Sequence, residues 1–459
     1  MKYQTKLDKT YRPMILAYRE FVEGAIRTDH KFLYLCVERN DGYNYSFHFP
    51  IYTAPEKREE NCRMAERIAK TILWVVGGYK IYVAGDDTVY EYLKDAYTEK
   101  GLRAFDTDFM SGVYEAPFEV IRREVGKMPA PKNCSVQVGG NLDGCRIGFD
   151  AGGSDRKVSA VVNGEVVYSE EVVWFPKITE DPDYHYNEIM TAMKTAASKM
   201  PTVDAIGVSS AGVYVNNRIM VASLFLKVPK DKFEQKVKTM YIDIAKELSR
   251  EYGKEIPLEV ANDGDVTALA GAIDLQDNKV LGIAMGTSEA VGYINENGGL
   301  NGWLSELAFV PVDYAKESMV DEWSGDYGCG VKYFSQDAVI KLAELGGYKF
   351  EEGLSPAEKL KVVQAMMKNG DPLARQIYED IGTYLGYTLP FYAMFYGIKH
   401  ILLLGRVTSG EGGNIIMDRA NEILRDEFPE YSFRVEMPDE NNRRVGQSIA
   451  AASLPATKK

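Results

Sequence analysis

The stretch Arg146–Glu171, RIGFDAGGSDRKVSAVVNGEVVYSEE, reads as three short strands in succession. Ile147 to Phe149 are apolar and lead into Asp150. The turn Ala151-Gly152-Gly153-Ser154 follows, then the alternating run Val158 to Val162, the hairpin dipeptide Asn163-Gly164, and a return strand over Val166 to Tyr168. Two adjacent glycines let the backbone approach a bulky anion with its N–H groups turned towards it. Ser154 adds a hydroxyl, and Asp150 offers a carboxylate suited to a Mg²⁺-bound water. Such a hairpin can hold a nucleotide's phosphates; the alternative is an ordinary β-hairpin with a glycine turn.

Working outward, the 459 residues suit two or three domains at ~150 residues each. With 45% hydrophobic and 26% charged residues, the composition is that of a soluble globular protein. No run approaches the ~18 apolar residues of a membrane span, and the opening MKYQTKLDKTYRPMIL lacks the apolar core and cleavage site of a secretory signal. The cytoplasm is therefore the expected location. Cys36, Cys62, Cys134, Cys145 and Cys329 are odd in number and form no C-x-x-C pair, which suits reduced thiols. A net charge of −13 disfavours a nucleic-acid partner, which needs a basic patch for its phosphates.

Residues 1–130 carry 20 basic and 20 acidic side chains, so the acidic excess lies wholly downstream. This segment opens with a helix. Apolar runs over Phe32–Glu38 and Tyr43–Phe49 flank the hairpin signal Asn40-Asp-Gly42. A helix is expected over 57–76 with Met64, Ala65, Ile68, Ala69, Ile72 and Leu73 on one face, then a strand over Lys80–Ala84 and a helix over Thr88–Ala96. The prolines and charges of Lys127–Asn133 mark a linker.

Beyond the glycine hairpin, strand and helix alternate to the end, which implies sheets covered by helices. Val203 to Ser209 is a strand running into Ser210-Ala211-Gly212. Pro257-Leu-Glu-Val-Ala-Asn-Asp-Gly264 is a buried strand that ends in Asn262 and Asp263 and starts a helix. In open α/β sheets ligands bind beyond the carboxyl ends of strands. There an Asn can hold one hydroxyl of a polyol while the neighbouring Asp takes a proton, or the pair can simply cap the helix. Lys279 to Ser288 repeats the first pattern more weakly: an apolar strand, then Gly286 with Thr287 and Ser288 as hydroxyl donors. His400-Ile-Leu-Leu-Leu-Gly405-Arg406 precedes a glycine-rich turn and a helix, an arrangement that can receive an adenosine or merely pack on a glycine.

Taken in order, these stretches resemble the bacterial ROK family of sugar kinases and sugar-responsive repressors, within the actin-like ATPase superfamily. Asp150-Ala-Gly-Gly-Ser154 is similar to the family's D-x-G-G-T phosphate motif, with serine keeping the hydroxyl. Glu259-Val-Ala-Asn-Asp263 resembles the strand that delivers the family's Asn-Asp pair, whose Asp is the catalytic base. Gly299-Leu-Asn-Gly-Trp-Leu-Ser-Glu306-Leu-Ala-Phe309 is similar to G-x-x-G-x-x-G-E-x-G-H and places Glu306 on the sugar-binding glutamate. Two departures stand out. The histidine that serves sugar and structural zinc is Phe309, and the zinc motif C-x-C-G-x-x-G-C-x-E falls on Glu322-Trp-Ser-Gly-Asp-Tyr-Gly-Cys329-Gly-Val331, keeping one of three cysteines. No structural zinc is expected, and the usual glucose specificity is in doubt.

The resemblance implies an α/β fold: two actin-like (ribonuclease-H-like) lobes with a central ATP cleft, plus a small N-terminal α/β or α+β domain. Residues 1–135 form that extension, of unknown role, with 136–265 as the first lobe and 266–459 as the second. The implied activity is ATP-dependent phosphorylation of a sugar hydroxyl. Asp150, Gly152, Gly153, Ser154, Gly286, Thr287 and Ser288 would serve the phosphates, Asp150 holding Mg²⁺ through water. Gly405 and Arg406 would serve adenosine, Gly212, Asn262, Glu306 and Phe309 the sugar, and Asp263 would be the base. The implied partners are a small-molecule sugar and a second copy in a homodimer, with neither nucleic acid nor membrane. A non-catalytic sugar-binding regulator is the alternative. An ATPase coupled to an iron–sulfur reductase is disfavoured, because no cysteine pair has suitable spacing.

Overall fold

A computed structural model of the chain describes residues 1–133, 138–438, 447 and 449–457. The domain boundary expected at 135–136, and Cys134, lie outside them. The chain divides into two compact units. One comprises Met1–Cys134, Ile283–Val291 and Gly302–Met437; the other comprises Ser135–Gly282, Gly292–Asn301 and Pro438–Lys459.

In the first unit, α1 (Met14–Ile26) buries Met14, Ile15, Ala17, Phe21 and Ala25. Strands β1 (His30–Glu38) and β2 (Asn44–Tyr52) form an antiparallel hairpin whose turn places Asp41 and Gly42 at φ 59° and 72°, as its sequence requires. After α2 (Arg58–Val76), β3 (Lys80–Ala84) pairs antiparallel with β1. Following α3 (Asp87–Ala96) and α4 (Ala104–Tyr114), β4 (Glu119–Arg122) pairs parallel with β3, giving the order β2-β1-β3-β4. The amphipathic face read from sequence underestimates α2, in which every residue from Asn61 to Val76 except Arg63 is buried. Part of the reason lies at its C-terminus, where carbonyls that a helix cannot satisfy internally accept the N–H groups of Leu304, Ser305 and Glu306 onto Val76, Val75 and Trp74. The N-terminal residues are further stitched to the same unit by Met14 N–H to the Val312 carbonyl and Tyr314 N–H to the Arg12 carbonyl.

The second unit is built on the glycine hairpin: β5 (Cys145–Ala151), β6 (Asp155–Val162) and β7 (Glu165–Val173), with Asn163 and Gly164 at φ 50° and 85° in the second turn. Helix α5 (Pro182–Ala197) leads to β8 (Ala205–Ser210), and a short ribbon of β9 (Val213–Val215) and β10 (Arg218–Val221) follows. Then come α6 (Lys230–Lys232), α7 (Met240–Tyr252), β11 (Leu258–Asn262) and α8 (Asp263–Leu275). The five-stranded sheet runs β11-β8-β5-β6-β7, with β5, β8 and β11 parallel and β6 antiparallel to both its neighbours. Ile147, Phe149, Val158, Ile206, Val208 and Val260 of the sheet pack with Ile189, Met193, Ile244 and Leu248 of the helices. Because β5, β8 and β11 are parallel and in register, Asp150 lies opposite Ser209, and Asn262 opposite Ser210, at one end of the sheet.

The remaining elements start with β12 (Val280–Met285) and β13 (Glu289–Ile294). Helices α9 (Gln336–Leu345), α10 (Pro356–Lys368) and α11 (Pro372–Tyr392) follow, then β14 (His400–Leu404), α12 (Glu411–Glu427) and β15 (Arg434–Glu436). The strands form a sheet in the order β13-β12-β14-β15, with β14 and β15 parallel. Gly382 and Gly386 let α11 lie close on Arg419 and Ile423 of α12. Among the described residues, no helix is long and apolar enough to cross a membrane.

Candidate functional site

In the second unit the sheet end gathers the carboxylates expected from the sequence. Asp150 closes β5, and its Oδ1 accepts a 2.9 Å hydrogen bond from the Ser209 hydroxyl at the end of β8. Burial pushes the Asp150 carboxyl above the ordinary range. Asp263 is the first residue of α8, one step beyond β11. Burial, and then the neighbouring charge of Asp150, push its carboxyl up to about 6, against the lowering effect of the Gly264 N–H, which donates to Oδ1 at 3.0 Å. A group that ionises near 6 is largely carboxylate at neutral pH yet basic enough to hold a proton, the balance required of a general base.

The two readings of the Asn-Asp pair divide between its members. Asn262 is the helix cap: its Oδ1 accepts from Gly264 N–H at 2.8 Å, and its Nδ2 donates to the Gly212 carbonyl at 2.7 Å. One amide hydrogen and one lone pair remain for a ligand. Gly212, at φ 142°, leaves no room for a side chain, since a Cβ would lie 2.3 Å from the Val221 carbonyl. Sequence reading overlooked Asp265, one helical position beyond Gly264. Its Oδ1 accepts from Tyr293 N–H at 3.3 Å, and burial followed by the charge of Asp263 pushes it up to about 7.

The turn between β5 and β6 carries the two adjacent glycines. Neither Gly152 nor Gly153 adopts positive φ, so what these glycines provide is space. A Cβ on Gly152 would fall 2.5 Å from the Asp155 carbonyl, and one on Gly153 would fall 2.7 Å from the end of the Lys177 side chain. Ser154 is exposed, with its hydroxyl donating to Asp155 Oδ2 at 3.1 Å. The absence of side chains at both positions fits the close approach of a phosphate to the backbone, and Asp150 is the carboxylate that would hold a Mg²⁺-bound water.

In the first unit, the turn Gly286-Thr287-Ser288 is closed by Gly286 N–H donating to the Ser288 carbonyl at 3.0 Å. Arg406 reaches this turn from beyond β14, its guanidinium donating to Thr287 Oγ1 at 2.8 Å, so two sequence-distant candidates come together. Gly405, at φ 97°, lies against Met285, where a Cβ would sit 2.3 Å from the carbonyl oxygen. Glu306 ends the segment that caps α2, its own N–H donating to the Trp74 carbonyl. Nearby, a carboxylate that sequence reading did not single out, Glu289 of β13, accepts from the Tyr392 hydroxyl at 3.3 Å. Burial and then Glu306 push it up to about 8.

Phe309 does not stand alone. Its ring packs on Trp74 at 4.3 Å between centroids and on Phe105 at 5.4 Å, both from the N-terminal segment. The segment that aligns with the family's zinc motif is equally occupied. Asp326, three residues before Cys329, accepts from Arg103 at 2.9 Å and pairs with Arg67 and Lys70, each at 3.0 Å. Glu66 pairs with Arg67 at 2.7 Å, and Asp106 takes Lys70 at 3.3 Å and the Trp74 indole N–H at 2.7 Å. All six charged groups are buried, three of each sign. The lone thiol of Cys329 is pushed up to about 12 by burial. Three buried cations beside one protonated thiol do not fit structural Zn²⁺, which needs about four anionic or neutral N, S or O ligands. Among the described residues no group of three or more His, Cys, Asp or Glu is arranged to hold a metal ion.

The fold and this arrangement define the class of protein. The ROK family model matches residues 146–452, well over half of the chain, and the chain belongs to the ROK family. No curated protein sequence matches it. Among solved structures it is similar to a ROK hexokinase from Thermus thermophilus, at 15% identity and TM-score 0.51, over 67% of this chain and 97% of that one. It is also similar to a ROK family transcriptional regulator homologous to the E. coli MLC protein, at 18% identity and TM-score 0.50, over 68% of this chain and 79% of that one. At such identities these likenesses speak for the actin-like fold alone.

Proposed function

We propose that the chain is an ATP-dependent kinase that phosphorylates a hydroxyl of a sugar or sugar derivative. The observation that carries this reading is Asp263, a carboxylate raised to about 6 at the same sheet end as Asp150 and the glycine turn. Bound ATP with Mg²⁺ would supply the phosphoryl group. Asp150 would hold Mg²⁺ through a water, Gly152, Gly153 and Ser154 would present donors to phosphate oxygens, and Gly286, Thr287 and Ser288 would offer donors of the same kind. Gly405 and Arg406 serve the adenosine side. Asn262, Gly212 and Glu306 orient the sugar, while Phe309, packed on Trp74, adds an apolar surface. Asp263 takes the hydroxyl proton. Positioning and charge stabilisation then carry most of the catalysis, as in phosphoryl transfer generally. A soluble cytoplasmic homodimer completes the reading.

The alternative, a non-catalytic sugar-binding regulator, draws on Phe309 and Val331, which replace two sugar contacts of the family pattern. A coupled ADP-release assay over hexoses, N-acetylhexosamines, their epimers and polyols tests the kinase: at least one should stimulate turnover. Sequence-specific retardation of DNA with no sugar-stimulated turnover supports the regulator instead.

Two further outcomes follow from the site. Asp263 must be ionised to act, so kcat/KM should be flat at neutral pH and decline below about 6, approaching about tenfold per unit. A pH profile without that acid limb removes Asp263 from the reaction. Gly153→Val would put a branched side chain over the turn, where Lys177 already leaves a Cβ only 2.7 Å. Calorimetry should show ATP affinity falling about tenfold or more, with sugar affinity retained. Unchanged ATP affinity would assign the phosphates elsewhere.

A further inference from the structure

We propose that Lys177 is a phosphate-binding residue, its ammonium group seated over the turn Gly152-Gly153-Ser154 to engage the phosphoryl oxygens held there. The inference rests on the kinase reading of that turn.

The position of the side chain comes first. A Cβ built on Gly153 would fall 2.7 Å from both Cε and Nζ of Lys177, so the ammonium occupies the approach that the absent side chain leaves open. Lys177 is exposed and makes no hydrogen bond or ion pair among the described residues. In a chain of net charge −13, in which lysines elsewhere pair repeatedly with carboxylates, this one has its three donors free.

The backbone that carries it is fastened to the turn. Trp174 N–H donates to the Ser154 carbonyl at 3.1 Å, and the Trp174 indole N–H donates to the Gly152 carbonyl at 2.8 Å. Eleven residues beyond Trp174, the fully buried His185 ring places Nε2 3.0 Å from the Pro176 carbonyl and 3.2 Å from that of Leu224. The Tyr184 hydroxyl accepts from Phe175 N–H at 3.0 Å. Lys177 therefore extends from a segment pinned at both Trp174 and Pro176, and only its flexible stem has to adjust to a ligand.

Charge explains the need. Asp150 and Asp263 crowd the same sheet end, and a phosphate chain brought there meets like charge. A lysine binds phosphate as a compact point charge, and a fixed cation beside the transferring group offsets the negative charge that the carboxylates add. The same chemistry would recognise the phosphates of a nucleotide or an inorganic polyphosphate, and separate titrations distinguish them.

The test is calorimetry on the full chain with MgATP, adenosine and sodium tripolyphosphate, for the parent, Lys177→Met and Lys177→Arg. Lys177→Met should weaken MgATP binding about tenfold or more, the loss of one charge-assisted hydrogen bond, with Lys177→Arg retaining most of the affinity. Adenosine, which lacks phosphate, should bind all three proteins alike. An equal loss for tripolyphosphate identifies the phosphate chain itself as the ligand, and a loss confined to MgATP identifies the nucleotide. Lys177→Met binding MgATP within about twofold of the parent overturns the role of Lys177 and leaves the kinase reading standing. An equal loss for adenosine overturns it as well. A parent that binds no MgATP overturns both.

Discussion

Asp263→Asn is expected to lower turnover by ~10²–10⁴-fold on whichever sugar proves to be the substrate, the usual range for a positioned acid–base group. The substitution keeps the shape of the side chain and can keep the 3.0 Å hydrogen bond from Gly264 N–H, while removing the basic oxygen. The capping function is untouched because it belongs to Asn262. Thermal stability should therefore hold or rise, since an amide escapes the burial penalty that raises the carboxyl to about 6. ATP affinity should change little. Turnover within about threefold of the parent would leave Asp263 a structural residue and the proposed reaction without its base.

Asp326→Asn should produce the largest loss of stability, about 3–5 kcal/mol, the usual penalty for breaking a buried ion pair by removing one partner. The aspartate receives Arg103, Arg67 and Lys70 at about hydrogen-bond distance, and its carboxyl is held far below the ordinary range because these cations outweigh its burial. Without its charge, three buried cations face only Glu66 and Asp106. That is a large fraction of the ~5–15 kcal/mol by which a domain is stable. Because the cluster joins α2 and the start of α4 to the loop before Cys329, the urea midpoint should fall for the whole first unit. A shift below about 1 kcal/mol would show that solvent or a rearranged side chain compensates the lost charge.

This cluster also marks where sequence reading stops. The hairpins at Asp41-Gly42 and Asn163-Gly164 were legible because a tight turn with two successive residues at positive φ selects such dipeptides. Asp150, Asn262 and Asp263 were legible because strand ends are defined by local hydrophobic runs, and parallel register then aligns them. The partners of Asp326 lie more than two hundred residues away in sequence, and nothing local about Glu66, Arg67 or Lys70 distinguishes them from an exposed charged helix face. The loss of the zinc cysteines was visible, but what fills the corner was not. Phe309 was read as a changed ligand position, but the packing of its ring on Trp74 was not legible. Lys177 escaped notice because its relation to Gly153 depends on the path of the chain after β7, which only the Trp174 contacts reveal. The N-terminal segment is thus tied by backbone hydrogen bonds, ring contacts and buried ion pairs to residues 304–329 of the same unit.

Phosphoryl transfer to a sugar hydroxyl is read directly by phosphorus NMR of the full chain with MgATP and the sugar that most stimulates ADP release. A sugar phosphate ester resonance should grow in step with ADP and be abolished in Asp263→Asn. ADP accumulating with inorganic phosphate and no ester, at a rate indifferent to the sugar, would contradict it.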